Sequence, residues 1–298
     1  MEGRIIKALS GFYYVKAGNH AVYECKAKGA FRNENITPLV GDKVKFDIIS
    51  ESDMTGTVIE ILPRKNSLIR PAVANVDQAM VVFAVRDPYP NLSILDRFLV
   101  LMKKQGIETI IVFNKKDLAK VDDIKNLKAA YKKSGSKVYF IAAGSDKPSM
   151  MSLKMQLRGK TTVMAGPSGV GKSTILNILA KAGSDEIAQV GEISAKAGRG
   201  KHTTRHNEIY TINRSYHIVD TPGFTSLLVS SDDVTKEELK NLFAEFAPYE
   251  QKCPFKDCAH IRERDCAVRK AVDEGQISQS RYNSYKSIYE ELKAQKKY

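Results

Sequence analysis

The segment Gly166 to Ser173 reads GPSGVGKS and satisfies the phosphate-loop pattern GxxxxGK[ST] at every specified position. The apolar run Thr161 to Ala165 before it reads as a buried strand, and Thr174 to Ala180 after it as the opening turns of a helix. A strand that feeds a helix through glycines aims consecutive backbone N–H groups and the positive end of the helix dipole at one point, which suits a polyphosphate. The candidate phosphate contacts are Gly166, Pro167, Ser168, Gly169, Val170, Gly171, Lys172, Ser173 and Thr174. Lys172 is expected to reach the β and γ phosphates, and the Ser173 hydroxyl to hold Mg²⁺. Alone, the loop specifies a phosphate-binding protein and leaves the base open.

The base is addressed upstream. Asp77 to Val85 and Glu108 to Phe113 are near-continuous apolar runs, the mark of strands buried on both faces, and Leu92 to Lys104 between them has helical periodicity. This is the βαβ grammar of a doubly wound sheet. The second run ends at Asn114-Lys115-Lys116-Asp117. A carboxylate at Asp117 can accept from both N1–H and the 2-amino group of guanine, whereas adenine offers no donor at either place and would leave the carboxylate unpaired. Asn114 is expected to tie the loop to the base or to the phosphate loop, and the Lys115 stem to lie over the purine. After a charged helix, Asp122 to Lys133, the strand Val138 to Ala142 leads into Ala143-Gly144-Ser145, where any base contact must come from the backbone. Met150 to Leu157 reads as a short connecting helix.

Downstream of the loop, Gly191 to His206 is basic and glycine-rich without helical or strand period, and Thr203 or Thr204 in it is placed to complete a Mg²⁺ shell. The hairpin Glu208 to Ile212 and Tyr216 to Val219 leads to Asp220-Thr221-Pro222-Gly223. Asp220 is expected to meet a Mg²⁺-bound water and the Gly223 N–H the γ phosphate. Phe224 follows where many GTPases carry a glutamine, and Phe cannot hydrogen-bond the attacking water, so hydrolysis should be slow alone or draw on another group. His202 is the preferred group and His206 the second; a solvent-facing histidine that contacts RNA is the alternative.

The flanks carry other chemistry. Five short alternating runs between Arg4 and Ile61 (Arg4 to Leu9, Phe12 to Lys16, Ala21 to Cys25, Lys43 to Ile49, Gly56 to Ile61) are separated by turn signals such as Ser10-Gly11 and predict a small OB-type barrel, a fold whose open face commonly binds oligonucleotides. Most of Phe12, Tyr13, Tyr14, Tyr23 and Phe31 are expected in its core, with base stacking as the alternative; Arg64 to Pro71 reads as a closing connection. Near the other end, Cys253, Cys258, His260 and Cys266 form Cx₄CxHx₅C, a closed set of three thiolates and one imidazole suited to structural Zn²⁺, with free buried thiols as the alternative. Cys25 stands apart as a small core residue. A helix is expected around Lys236 to Phe246. Ser280 to Lys296 carries Tyr282, Tyr285, Ile288, Tyr289 and Leu292 on one helical face, a stripe expected to dock on the protein.

The formal net charge is +13, and it is spread: 11 basic and 8 acidic residues fall in 1–70, 25 and 18 in 71–247, and 11 and 8 in 248–298. A basic body without a detachable tail favours a large polyanion touched by several surfaces, against the alternative of lysine kept for solubility. There is no run of 18 apolar residues and no charged-then-apolar leader at Met1 to Ser10, so cytoplasmic is the default and no membrane partner is expected; a monomer is expected as well.

In chain order the nucleotide motifs run NKKD, AAGS, GPSGVGKS, the Thr203-Thr204 loop and DTPG, whereas ordinary GTPases place the phosphate loop first and NKxD last. This circular permutation, with a barrel before it and a Cys/His knot behind it, resembles the RsgA (YjeQ/YloQ) family of small ribosomal subunit biogenesis GTPases over essentially the whole chain. The resemblance implies an α/β protein with an OB-type barrel at 1–70, a permuted GTPase domain at 71–232 and a helical zinc-binding module at 233–298. It further implies one structural zinc, Mg²⁺ with GTP, and the small (30S) ribosomal subunit and its rRNA as partners. GTP hydrolysis would be stimulated by that subunit late in its maturation, with release coupled to hydrolysis. The Ala142-Ala143 pair departs from the usual third base-contact motif. An RNA-binding assembly module that binds nucleotide passively is the alternative. An ATPase or kinase on the same loop is a third reading, which Asn114 and Asp117 oppose.

Overall fold

The computed structural model describes residues 1–29, 31, 36–69, 71–181, 208–212, 216–220 and 229–295. Their packing divides into two compact units that do not follow chain order. One comprises Met1–Gln78, Lys154–Ala165 and the described part of Ser173–Gly223; the other comprises Ala79–Leu153, Gly166–Lys172 and the described part of Phe224–Tyr298.

In the first unit, strands β1 (Glu2–Leu9), β2 (Phe12–Ala17), β3 (Val22–Ala27), β4 (Lys43–Ser50) and β5 (Thr55–Ile61) form the five-stranded barrel that the alternation predicts. The order is β1-β2-β3-β5-β4, and β4 returns to β1, so the barrel closes. Closure removes the exposed strand edges that would invite aggregation. The inward residues Ile5, Val15, Tyr23, Cys25, Val44, Phe46 and Val58 are buried. Ser10 and Gly11 both adopt positive φ, 50° and 84°, as the tight β1–β2 turn requires. Two of the five barrel aromatics, Tyr23 and Phe31, are buried. The expectation for Phe12, Tyr13 and Tyr14 is corrected: they are half-buried, and the ammonium groups of Lys26 and Lys7 lie 5.3 Å and 5.7 Å from the rings of Phe12 and Tyr14. Alternation along β2 directs Val15 and Ala17 inward and places Phe12 and Tyr14 on the opposite face, while Tyr13 stands on the inward face at the less buried beginning of the strand.

The segment after the barrel is not a plain connection. Arg64 reaches back to the fully buried Asp42 with two bonds of 2.7 Å and 2.8 Å, and the Leu39 N–H donates to the same carboxylate at 2.7 Å. The two-residue strands β6 (Ser67–Leu68) and β7 (Val73–Ala74) then pair antiparallel. Farther along the chain, β11 (Thr161–Ala165) lies parallel to β13 (Tyr216–Asp220), β13 pairs antiparallel with β12 (Glu208–Ile212), and β12 meets β1 at Lys7 and Glu208.

In the second unit, strands β8 (Gln78–Ala84), β9 (Glu108–Asn114) and β10 (Lys137–Phe140) neighbour one another in the order β10-β9-β8, with β9 and β10 parallel. All seven residues of β8 are buried. Helix α1 (Leu92–Lys104) joins β8 to β9; the Asn91 side chain caps it by accepting from the Ile94 N–H, and Lys103 and Lys104 complement its C-terminal dipole. Helix α2 (Val121–Tyr131) joins β9 to β10. Helix α3 (Lys147–Leu157), counted with the second unit as far as Leu153, precedes β11, and α4 (Lys172–Lys181), counted with the first unit from Ser173 on, leaves the phosphate loop.

The continuous helix expected around Lys236 to Phe246 is absent. Two 3₁₀ turns, Leu239–Leu242 and Ala244–Phe246, stand there, separated by Phe243 in extended conformation. At the break the Phe243 and Phe246 rings stack at 5.4 Å and both meet Tyr285 edge-on, at 5.3 Å and 4.9 Å, contacts that help to offset the lost helical bonds. Helices α5 (Ala267–Asp273) and α6 (Gln279–Ala294) complete the unit. As its stripe predicts, α6 docks on the protein: Tyr282, Tyr285, Ile288 and Leu292 are buried, and the helix packs on α1. No helix among the described residues is long and apolar enough to cross a membrane.

Candidate functional site

The phosphate loop depends on two close backbone approaches. A Cβ on Gly166 (φ 147°) would lie 2.1 Å from the Val82 carbonyl oxygen, and one on Gly171 (φ 95°) 2.3 Å from the Asn114 amide nitrogen, so neither position admits a side chain. Lys172 folds back over the loop and donates to the carbonyls of Gly166 and Pro167 at 2.6 Å and 2.7 Å. Ser173 and Thr174 are exposed in the first turn of α4.

The Asn114 side chain joins this loop to the end of β9. Its amide is buried; Nδ2 donates to the Val170 carbonyl at 2.9 Å, and Oδ1 accepts from the Ala143 N–H at 3.1 Å. Of the two roles left open, base or phosphate loop, the geometry shows the phosphate loop. It also engages the Ala143 N–H internally, so that amide is not free for a base. The next loop residues are pinned as well: Lys116 N–H donates to the Ile141 carbonyl at 3.0 Å, and its ammonium meets Asp146 at 2.5 Å. Lys116 first, then Ser149, holds the Asp146 carboxyl down to about 2. Lys115 sits in the left-handed region (φ 60°) and donates to the Asp87 carbonyl. Asp117 follows on an exposed 3₁₀ turn, Lys116–Leu118. The β9 end thus presents one carboxylate outward on a loop fixed at three points, an arrangement able to read a planar base edge.

Asp220 ends β13, its backbone paired with Met164 and Glu208. His202, Thr203, Thr204, His206, Gly223 and Phe224 lie outside the described residues.

The second candidate site is the Cys/His set. The ligand atoms of Cys253, Cys258, His260 and Cys266 all lie within 4.8 Å of one another. His260 Nδ1 is 3.3 Å from Cys266 Sγ and 3.6 Å from Cys253 Sγ. Burial pushes the Cys258 thiol up to about 12 and raises Cys266, while it holds the His260 imidazole below its ordinary range. A neutral imidazole facing three converging sulfurs fits a soft divalent cation such as zinc, whose charge would stabilise the thiolates that burial disfavours. The surrounding backbone is fixed by residues that carry no metal-ligand signature. Burial alone would raise the Glu263 carboxyl, but N–H donors from Ala259, Ile261 and Arg262 outweigh it and hold it below the carboxylate range. Tyr282 and Tyr285 donate to the carbonyls of His260 and Ala259 at 2.7 Å and 2.5 Å.

Sequence reading missed Glu263, Asp146 and the buried charges Asp96, Glu245 and Arg281. The available signal for Asp96 was a carboxylate on the apolar side of a helix, between Leu95 and Phe98.

A family profile described as RsgA GTPase matches residues 61–230, and one described as RsgA N-terminal domain matches residues 2–58. A protein of Agathobacter rectalis named small ribosomal subunit biogenesis GTPase RsgA is 47% identical, with all of both chains covered. One of the same name from Alkaliphilus metalliredigens is 46% identical over 100% of this chain and 99% of that protein. Among solved structures, YloQ, described as a circularly permuted GTPase, aligns with TM-score 0.75 and 36% identity over 100% of this chain and 96% of its own. YjeQ from Thermotoga maritima aligns with TM-score 0.79 and 33% identity over 99% of both. With both profiles matched and 46–47% identity along the full length, the chain belongs to the RsgA GTPase family, a circularly permuted GTP hydrolase.

Proposed function

We propose that this GTPase acts on the small (30S) ribosomal subunit, binding it and its rRNA late in maturation and leaving when GTP has become GDP and phosphate. The observation that carries the nucleotide half of the reading is the buried Asn114 amide, which locks the NKKD strand end to the phosphate loop at Val170. The names of the relatives and the charge of +13 spread over the chain support the ribosomal half.

In this reading the Asp117 carboxylate accepts from guanine N1–H and the 2-amino group, and the Lys115 stem covers the ring. The backbone N–H groups of Gly166 to Thr174 cradle the phosphates. Lys172 exchanges its two carbonyl partners for phosphate oxygens, a short movement because the ammonium already lies across the loop. Ser173 and Asp220 hold Mg²⁺, with Thr203 or Thr204, and the metal neutralises phosphate charge. Gly223 N–H contacts the γ phosphate, and His202 orients the attacking water that Phe224 cannot hold. Cys253, Cys258, His260 and Cys266 hold one structural zinc. Residues 1–70, 71–232 and 233–298 serve as RNA-binding, catalytic and zinc-binding modules of a cytoplasmic monomer.

The test is the steady-state rate of GTP cleavage with no subunit, with small subunits and with large subunits. Stimulation by the small subunit alone is expected. No cleavage under any condition would leave only a passive nucleotide clamp, and equal stimulation by large subunits would remove the assigned partner.

A further inference from the structure

Buried contacts in the second unit run without interruption from the metal-ligand loop to the guanine motif. Tyr282 and Tyr285 of α6 hold the carbonyls of His260 and Ala259. One residue before Tyr282, the Arg281 side chain is only 1% exposed. Its guanidinium donates to Asp96 of α1 at 2.6 Å and to both oxygens of Glu245, at 2.7 Å and 3.2 Å. Asp96 Oδ1 also accepts from the Tyr131 hydroxyl, at the end of α2, at 2.9 Å. The Tyr131 ring packs on Phe113 at 5.9 Å, and Phe113 immediately precedes Asn114 on β9.

Two features set this chain of contacts apart from ordinary helix packing. Apart from Phe113, which contributes only a ring contact, its central members Arg281, Asp96, Glu245 and Tyr131 are charged or hydroxyl-bearing and buried, so each holds its neighbour in one geometry or loses its own hydrogen bonds. It also ends on the residue whose neighbour bridges Val170 and Ala143 with bonds of 2.9 Å and 3.1 Å, where a small shift of the β9 end breaks the bridge.

We propose that the C-terminal module positions the guanine-recognition loop: Arg281, Asp96 and Tyr131 are positioning residues that tie the Cys253/Cys258/His260/Cys266 loop to the Asn114 end of β9. Removing the metal then weakens guanine nucleotide binding although no metal ligand touches the nucleotide. The inference rests on the proposed roles of Asp117 in reading guanine and of the Cys/His set in holding zinc.

The experiment uses the full chain loaded with zinc and reads the Kd for GDP, the GDP-to-ADP affinity ratio and amide hydrogen exchange across 110–117. Tyr131→Phe removes one hydroxyl and keeps the ring, and Arg281→Lys keeps the charge; each is expected to weaken GDP binding by about threefold to thirtyfold, with a lower GDP-to-ADP ratio and faster exchange at 110–117. Chelation of zinc under reducing conditions is expected to do the same. Arg64→Ala, a destabilising change in the barrel, is expected to leave all three readouts as in the parent protein. GDP affinity within twofold of the parent after chelation and in both variants, the circular dichroism of the variants being that of the parent, would reduce these contacts to stability alone and overturn the proposal. Asp117→Asn separates the two levels. If that variant keeps its preference for GDP over XDP, the guanine reading itself fails and the proposal falls with it.

Discussion

The barrel and the second unit each bury carboxylate against an arginine distant in sequence, and they do so for different structural ends. In the barrel, Asp42 meets Arg64, 22 residues away, and keeps a backbone donor, Leu39 N–H; the arginine is 27% exposed. In the second unit, Arg281 meets Asp96 across 185 residues and Glu245 across 36, and none of the three is open to water. A barrel is already specified by its ladder of backbone bonds, so a single latch suffices. Helices docking on helices have no ladder, and an apolar stripe alone permits sliding. A buried arginine between two carboxylates admits one register, at the risk that any broken partner strands a charge.

The first way to break this contrast is to remove the metal that the Cys/His set is proposed to hold, where the largest effect is expected. A closed Cys₃His set contributes folding free energy directly, on the order of 10 kcal/mol for structural zinc sites. Cys258→Ser should lose stoichiometric zinc and unfold the 253–295 region, as read by zinc analysis and hydrogen exchange. Because burial pushes the Cys258 thiol up to about 12, binding must release protons, so metal affinity should fall as pH falls; proton release on zinc titration checks the sign.

Next comes the buried ion group of the second unit. Arg281→Met strands Asp96 and Glu245 and should cost about 3–5 kcal/mol in denaturant unfolding. Arg64→Ala leaves Asp42 its Leu39 donor and opens a partly exposed position, and should cost about 1.5–3 kcal/mol. Equal losses from the two would erase the distinction between a latch and a register pin.

The smallest effect belongs to the surface pair Lys116–Asp146. The folded Asp146 carboxyl is held down to about 2 from an ordinary value of 3.8, so its contribution is fully present above that ordinary value. It should be lost as pH falls toward 2, and Asp146→Asn should flatten the pH dependence of thermal unfolding in that window alone.

Local chemistry made much of this protein legible. Period-two alternation marks β1 to β5, an unbroken apolar run marks β8, and α1 occupies Leu92–Lys104, as its periodicity predicts. The Cys/His spacing announced a cluster that the fold does assemble. Other features were not legible, because their partners lie far along the chain. Asn114 reads as a base contact or a loop tie until Val170, 56 residues on, and Ala143, 29 residues on, arrive beside it. Leu239, Phe243 and Phe246 have helical spacing, yet Tyr285 draws two of their rings into a geometry no helix provides.

Amino-acid order by itself determined the strand and helix periods, the glycine pattern of the phosphate loop, the permuted succession of motifs and the metal-donor set, since each is a matter of residue type and spacing along the chain. Tertiary structure alone decided which polar groups are buried and what they hold. Asp96 and Arg281 look like solvated charges in sequence, and only the approach of α6 to α1 removes their water and makes each the other's required partner.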